Sequence, residues 1–122
     1  VDDRGADYSN HFFLGVVADM VWNAGVVLGA QVTDWQGLDL VNATGAMTIN
    51  GQPAGEGKGG DVLGHPLDAL AWLANTLAAR GKSLSTGNIV MTGSIVSTKF
   101  LNPGDTAVVS IEGLGEATVV VG

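Results

Sequence analysis

Nineteen glycines cut this 122-residue chain into short apolar runs, and only three prolines interrupt it. Glycine reaches the positive-φ conformations that tight reversals need. A chain punctuated this way folds from short strands and turns, with little room for long helices. Asn50-Gly51 is the sharpest case, because this dipeptide suits both centres of a two-residue hairpin turn. Before it, Met47 and Ile49 alternate with Ala46 and Thr48. The period of two predicts a strand ending at Ile49, with a return arm near 52–57. A terminal hairpin is expected from 107–112 and 116–121 around Gly113-Leu114-Gly115. A short buried strand is expected at 26–28 and a short apolar strand at 89–91, the latter after the Thr86-Gly87-Asn88 turn.

One segment breaks the strand pattern clearly. From Pro66, Leu67, Leu70, Leu73, Ala74 and Leu77 repeat at helical spacing. Proline at the first helical position loses no needed hydrogen bond, and Gly81 suits a left-handed cap, so a helix is predicted over 66–80. Phe12, Val16 and Asp19-Met20 lie one turn apart and predict a second, buried helix near 8–23. The expected class is α+β, strand-dominated, as one domain over 1–122.

Composition excludes several functions. The chain has no cysteine, which removes disulfides, thiolate metal sites and thiol nucleophiles and fits a cytoplasmic protein. Its formal net charge is −7, with Arg4, Lys58, Arg80, Lys82 and Lys99 as the five cations. They form no basic stripe to neutralise phosphates, so nucleic acid is not an expected partner. The apolar stretch 12–28 contains Asp19 and Asn23. A carboxylate near a bilayer centre costs about 2.5–3.5 kcal/mol, so this stretch reads as core and not as a membrane span. It also lacks the basic flank of a signal peptide.

Gly55, Gly57 and Gly60 satisfy G-x-G-x-x-G, but a dinucleotide site needs a helix opening on the glycines and an acid about 20 residues later. The predicted helix starts only at Pro66, and the corresponding region ends in Arg80. Lys58 lacks the flanking residues of a phosphate loop. His11 and His65 have no partner at metal-ligand spacing, and His65, beside Pro66, is expected to fix the start of the helix. Asp19 lies within an apolar run and must be paired, hydrogen-bonded or protonated. Two readings stay open for it: a structural partner of Arg4 or a backbone amide, and a site carboxylate. Thr92-Gly93-Ser94 follows an expected strand, where small residues leave room for a ligand and backbone amides and hydroxyls suit a carboxylate.

Three segments together resemble one family. Gly60-Asp61-Val62-Leu63-Gly64-His65-Pro66, then Ala71-Trp72-Leu73-Ala74-Asn75, then Gly87-Asn88-Ile89-Val90-Met91-Thr92-Gly93-Ser94 occur in an order and spacing that are jointly specific. They resemble the 2-hydroxypenta-2,4-dienoate hydratase and 4-oxalocrotonate decarboxylase group of the fumarylacetoacetate hydrolase superfamily, C-terminal portion. Asn102-Pro103-Gly104-Asp105, Val1-Asp2-Asp3-Arg4 and Val17-Ala18-Asp19 continue the likeness. The resemblance implies a β-roll enclosing the active site, homo-oligomers, and a lyase or hydratase acting on 2-oxo or 2-hydroxydienoate acids of aromatic-compound catabolism. It implies Mg2+ or Mn2+, which would hold the α-keto acid and stabilise a developing enolate. Thr92, Gly93, Ser94 and Asp19 would bind substrate. The family's metal carboxylates lie upstream of the part matching Val1–Arg4, so another polypeptide or a preceding portion of a longer enzyme is expected to supply them. The family's usual Ala-Asp-Asn-Ala-Ser stands here as Ala18-Asp19-Met20-Val21-Trp22, replacing polar contacts with bulk. That departure keeps a second expectation open: an inactive structural or regulatory subunit with the same fold.

Overall fold

The computed structural model describes residues 23–122; the helix expected near 8–23 and Asp19 lie outside the described residues. Strand β1 (Thr44–Ile49) turns at Asn50-Gly51 into β2 (Gln52–Lys58). A 3-10 turn (Gly59–Asp61) leads towards helix α1 (Pro66–Ala78). After a long irregular segment, β3 (Thr106–Ile111) and β4 (Gly115–Val120) form the second hairpin. The four strands make one antiparallel sheet in the order β2-β1-β3-β4. The fold is α+β and strand-dominated.

The first hairpin forms where its turn chemistry dictates. Asn50 has φ 51° and Gly51 has φ 75°, both in the positive range of a tight hairpin turn. Ile49 therefore pairs with Gln52. The register shifts between Met47 and Thr48, whose partners are Gly55 and Pro53. Pro53 has no amide hydrogen and sits at this irregularity on an edge strand, where none is required. The second hairpin closes with Ile111 opposite Gly115. Its strands begin one residue earlier than the alternation of apolar residues predicts.

The pairing sorts side chains onto two faces. Gly45, Met47 and Ile49 share a face with Gly57, Gly55, Ile111, Val109 and Ala107. Thr44 and Thr48 share the other with Lys58, Val108 and, next along β3, Ser110 and Thr106. One face is apolar and rich in glycine, and the other is largely polar. That division is the pattern of an antiparallel sheet covered on one side.

Helix α1 starts where expected and stops two residues short of the predicted end. His65 Nδ1 accepts a hydrogen bond from the Leu67 amide at 3.0 Å, satisfying one of the donors left open at a helix start. At the far end, the Lys82 amide reaches Leu77 O at 2.9 Å and the Gly81 amide reaches Ala78 O at 3.0 Å. Gly81 has φ 68°, and this pair of bonds is the glycine-dependent Schellman closure. Residues 79 and 80, predicted as helix, belong to that closing turn.

Two expected strands are absent. Residues 26–28 and 89–91 carry no strand among the described residues. Ile89 and Met91 are 59% and 71% exposed, and this short apolar run pairs with no strand of the sheet. Apolar composition alone does not supply a partner edge. Burial is also sparse: among the described residues the buried apolar side chains are Ala43, Val62 and Ala107. No residue of α1 is buried, and Trp72 and Phe100 stand 66% and 67% exposed.

Candidate functional site

Two of the recognised segments meet in space. The β2 end is held by Asp61, whose Oδ2 accepts from the Lys58 amide at 2.8 Å. Val62, 6% exposed, follows, and then Leu63 (φ 54°) and Gly64 (φ 89°) reverse the chain into His65 and α1. Positive φ at a branched residue such as Leu63 costs about 1–2 kcal/mol, so the surrounding turn must hold it. The Gly64 amide does so by bonding Gly60 O at 2.9 Å.

The Thr86-Gly87-Asn88 turn forms as expected, with Asn88 Oδ1 accepting from the Ser85 amide at 2.7 Å and Gly87 at φ 88°. It delivers residues 92–94 onto Val62. A β-carbon on Gly93 would lie 2.6 Å from Val62 Cγ1, closer than two carbon atoms approach. Glycine at 93 is therefore what lets the two segments meet. Thr92 is half-buried, while Gly93 and Ser94 are exposed.

The donors of this triplet differ in availability. Ser94 Oγ donates to Val96 O, so its single hydroxyl proton is committed within the chain. The Thr92 hydroxyl and the Gly93 and Ser94 amides meet no acceptor among the described residues. The hydroxyl comes from a side chain and the amides from the backbone of one short segment.

Neither of two surface concavities involves this triplet. One, of about 300 Å³, is lined by Leu38, Asp39, Asn42, Ala43, Glu112 and Gly113. A more open one, of about 580 Å³, lies on the polar sheet face between Thr44, Ala46, Ser110 and Glu116. Asp39 in the first is occupied locally: Asn42 Nδ2 donates to it at 2.7 Å and the Asn42 amide at 3.1 Å. The Asn42 side-chain bond, followed by the backbone bond, holds the Asp39 carboxyl below the ordinary carboxylate range. Glu112 Oε2 accepts from the Thr44 amide at 3.3 Å. The Asp39-x-x-Asn42 spacing marks the turn in sequence, but only the fold brings Glu112 beside it.

The dinucleotide-like glycines open no helix. Gly59–Asp61 is a 3-10 turn, and α1 begins at Pro66. Among the described residues, no three or more His, Asp or Glu side chains gather as metal ligands. No helix among them is long and apolar enough to cross a membrane.

With the fold and triplet in place, comparison with known proteins identifies the class. The fumarylacetoacetate (FAA) hydrolase C-terminal family model matches residues 8–122, and the chain belongs to this family. A 2-hydroxyhexa-2,4-dienoate hydratase from Comamonas testosteroni is 43% identical over 103 residues, covering 84% of this chain and 39% of the relative. A 4-oxalocrotonate decarboxylase from Pseudomonas putida is 36% identical over 120 residues, covering 97% of this chain and 44% of the relative. Among solved structures, the 4-oxalocrotonate decarboxylase of Pseudomonas putida G7 complexed with calcium and acetate superposes with a TM-score of 0.80 at 35% identity. That match covers 88% of this chain and 42% of the other. The same enzyme complexed with magnesium and adipate also gives 0.80. The chain thus spans about two fifths of the relatives it matches.

Proposed function

We propose that this chain supplies the acid-binding part of a lyase of the hydratase and decarboxylase group, acting on a 2-hydroxydienoate or 2-oxo acid of aromatic-compound catabolism. The observation that carries the proposal is the set of donors at Thr92, Gly93 and Ser94 that meet no acceptor among the described residues, held in place by the close fit of Gly93 on Val62. A carboxylate accepts several hydrogen bonds at once, and an array of amides and a hydroxyl is suited to it. The solved relative binds acetate in one crystal and adipate in another, both carboxylates.

In this reading the Thr92 hydroxyl and the two amides fix one end of the substrate, and Ser94 Oγ braces the segment through Val96. Orientation of this kind converts a loosely bound acid into one aligned for proton transfer. The described residues offer no ligand set for a divalent ion. Magnesium or manganese, like the calcium and magnesium of the solved relative, would be held by residues outside the described ones. Asp19 remains a candidate second contact to the substrate.

The exposure of the large apolar side chains Trp72, Met91 and Phe100 fits a partnership with the remaining part of the fold, which makes up more than half of each relative, and with further copies in a homo-oligomer. The absence of cysteine fits the cytoplasm.

The test is Thr92→Val in the enzyme of native length, a change that keeps shape and removes the hydroxyl. A hydrogen bond to a charged group contributes about 1.5–3 kcal/mol. Affinity for a short 2-oxo acid should therefore fall about 10- to 150-fold. Unchanged affinity would remove Thr92 from the site.

A further inference from the structure

The glycines left without a role by the dinucleotide reading have another. The segment after Ser94 crosses the apolar face of the sheet at its β1–β2 edge, and it does so over glycine. A side chain on Gly45 would strike Ile95 Cδ1 and sit 3.0 Å from its Cγ1. A side chain on Gly57 would strike the Ile95 carbonyl oxygen, and one on Gly55 would lie 2.6 Å from Val96 Cγ1. Gly45 pairs with Gly57, and Gly55 pairs with Met47 one step along the same face. Three neighbouring positions are thus vacant of side chains where residues 95 and 96 descend. Glycine in strand interiors is unfavourable unless another backbone approaches closely.

We propose that Gly45, Gly55 and Gly57 are positioning residues, forming a seat for Ile95 and Val96 that sets where Thr92–Ser94 stands above the sheet. The inference rests on the reading of Thr92–Ser94 as the acid-binding triplet. Its mechanism is mechanical. The segment is anchored on one side by Gly93 against Val62 and on the other by Ile95 and Val96 against the seat, with Ser94 Oγ bonded across to Val96 O. Raising Ile95 by the thickness of a methyl group lifts the triplet relative to the rest of the site. A misplacement of about 1 Å can cost on the order of 10²-fold in a reaction that depends on alignment.

Gly45 is the cleanest test, because its φ is not in the positive range and only the approach of Ile95 forbids a side chain there. In the protein of native length, Gly45→Ala, Ile95→Val and the double variant are compared. Pyruvate with excess Mg2+ serves as the calorimetric probe, and crystal structures are determined alongside. Gly45→Ala should weaken pyruvate binding by about tenfold or more and displace residues 92–94. The double variant, in which the Cδ1 atom is gone, should regain most of that affinity and return the triplet. Gly45→Ala that binds pyruvate like the parent, with residues 92–94 unmoved and only thermal stability lowered, overturns the inference. Should the parent itself bind no pyruvate, the functional reading falls. The seat is then judged on the crystal structures alone: displacement and return support it, and an unmoved triplet refutes it. Should Gly45→Ala not fold, Ile95→Ala, which empties the seat, is read on the same two measurements.

Discussion

Replacing Asn50 should separate two contributions that the first hairpin turn combines. Its backbone amide donates to Thr106 O at 2.8 Å. Its side chain reaches the same strand start twice: Oδ1 accepts from the Thr106 amide at 2.9 Å, and Nδ2 donates to Asp105 Oδ1 at 2.7 Å. The residue does this from a positive φ of 51°. Asn50→Gly keeps that backbone conformation and removes both side-chain bonds. These bonds are accessible to water, so the low end of the usual range applies, about 0.5–1 kcal/mol each and about 1–2 kcal/mol in all. Asn50→Ala adds the cost of a β-carbon at positive φ, about 1–2 kcal/mol, for a total of about 2–4 kcal/mol. Urea denaturation at constant m-value measures both. Asn50→Asp sets a carboxylate against Asp105 and should be the worst of the three at neutral pH. The crowded pair raises one folded-state pKa, so the Asp variant should recover as pH falls and one carboxyl protonates. Equal losses for Gly and Ala would show that the turn relaxes to another geometry, and no loss for Gly would show that the side chain clamps nothing.

Three further outcomes follow from the same geometry. His65→Ala removes the acceptor for the Leu67 amide and should cost about 0.5–2 kcal/mol of stability, with Asn at the same position restoring most of it. Gly93→Ala forces Val62 and the triplet apart and should cost about 1–3 kcal/mol by overpacking; a double variant with Val62→Ala should be clearly non-additive in thermal denaturation. Asp39 is held below the ordinary carboxylate range, first by the Asn42 side chain and then by its amide. The stability this contributes is present above the usual Asp pKa and lost as pH falls through the lowered folded value. Asn42→Ala should therefore flatten the acid limb of a stability-versus-pH curve, while an unchanged limb would mean that the bond contributes nothing in solution.

What could be read in advance divides along a physical line. Elements closed by local chemistry were legible: Asn50-Gly51 fixed one hairpin, the glycines at 113 and 115 the other, and His65-Pro66 with Gly81 the helix. Elements that depend on a distant neighbour were not. Residues 26–28 and 89–91 are apolar enough for strands, yet no pairing edge reaches them among the described residues. The glycines at 55, 57 and 60 carry a nucleotide-like spacing whose cause is three-dimensional: they sit beneath residues 95–96 and beside Val41. Likewise, the spacing of 62 and 93 gives no hint that Gly93 rests on Val62. The hydroxyls of Thr92 and Ser94 look equivalent in sequence, but the structure commits that of Ser94 to Val96 and gives that of Thr92 no acceptor among the described residues.

A crystal structure of the native-length protein soaked with a short 2-oxo acid bears most directly on whether residues 92–94 receive the substrate. The account predicts a carboxylate oxygen within about 3 Å of Thr92 Oγ and of the Gly93 or Ser94 amide nitrogen. An ordered acid bound elsewhere, for instance beside Asn42 and Thr44, with those three donors facing only water, would contradict it.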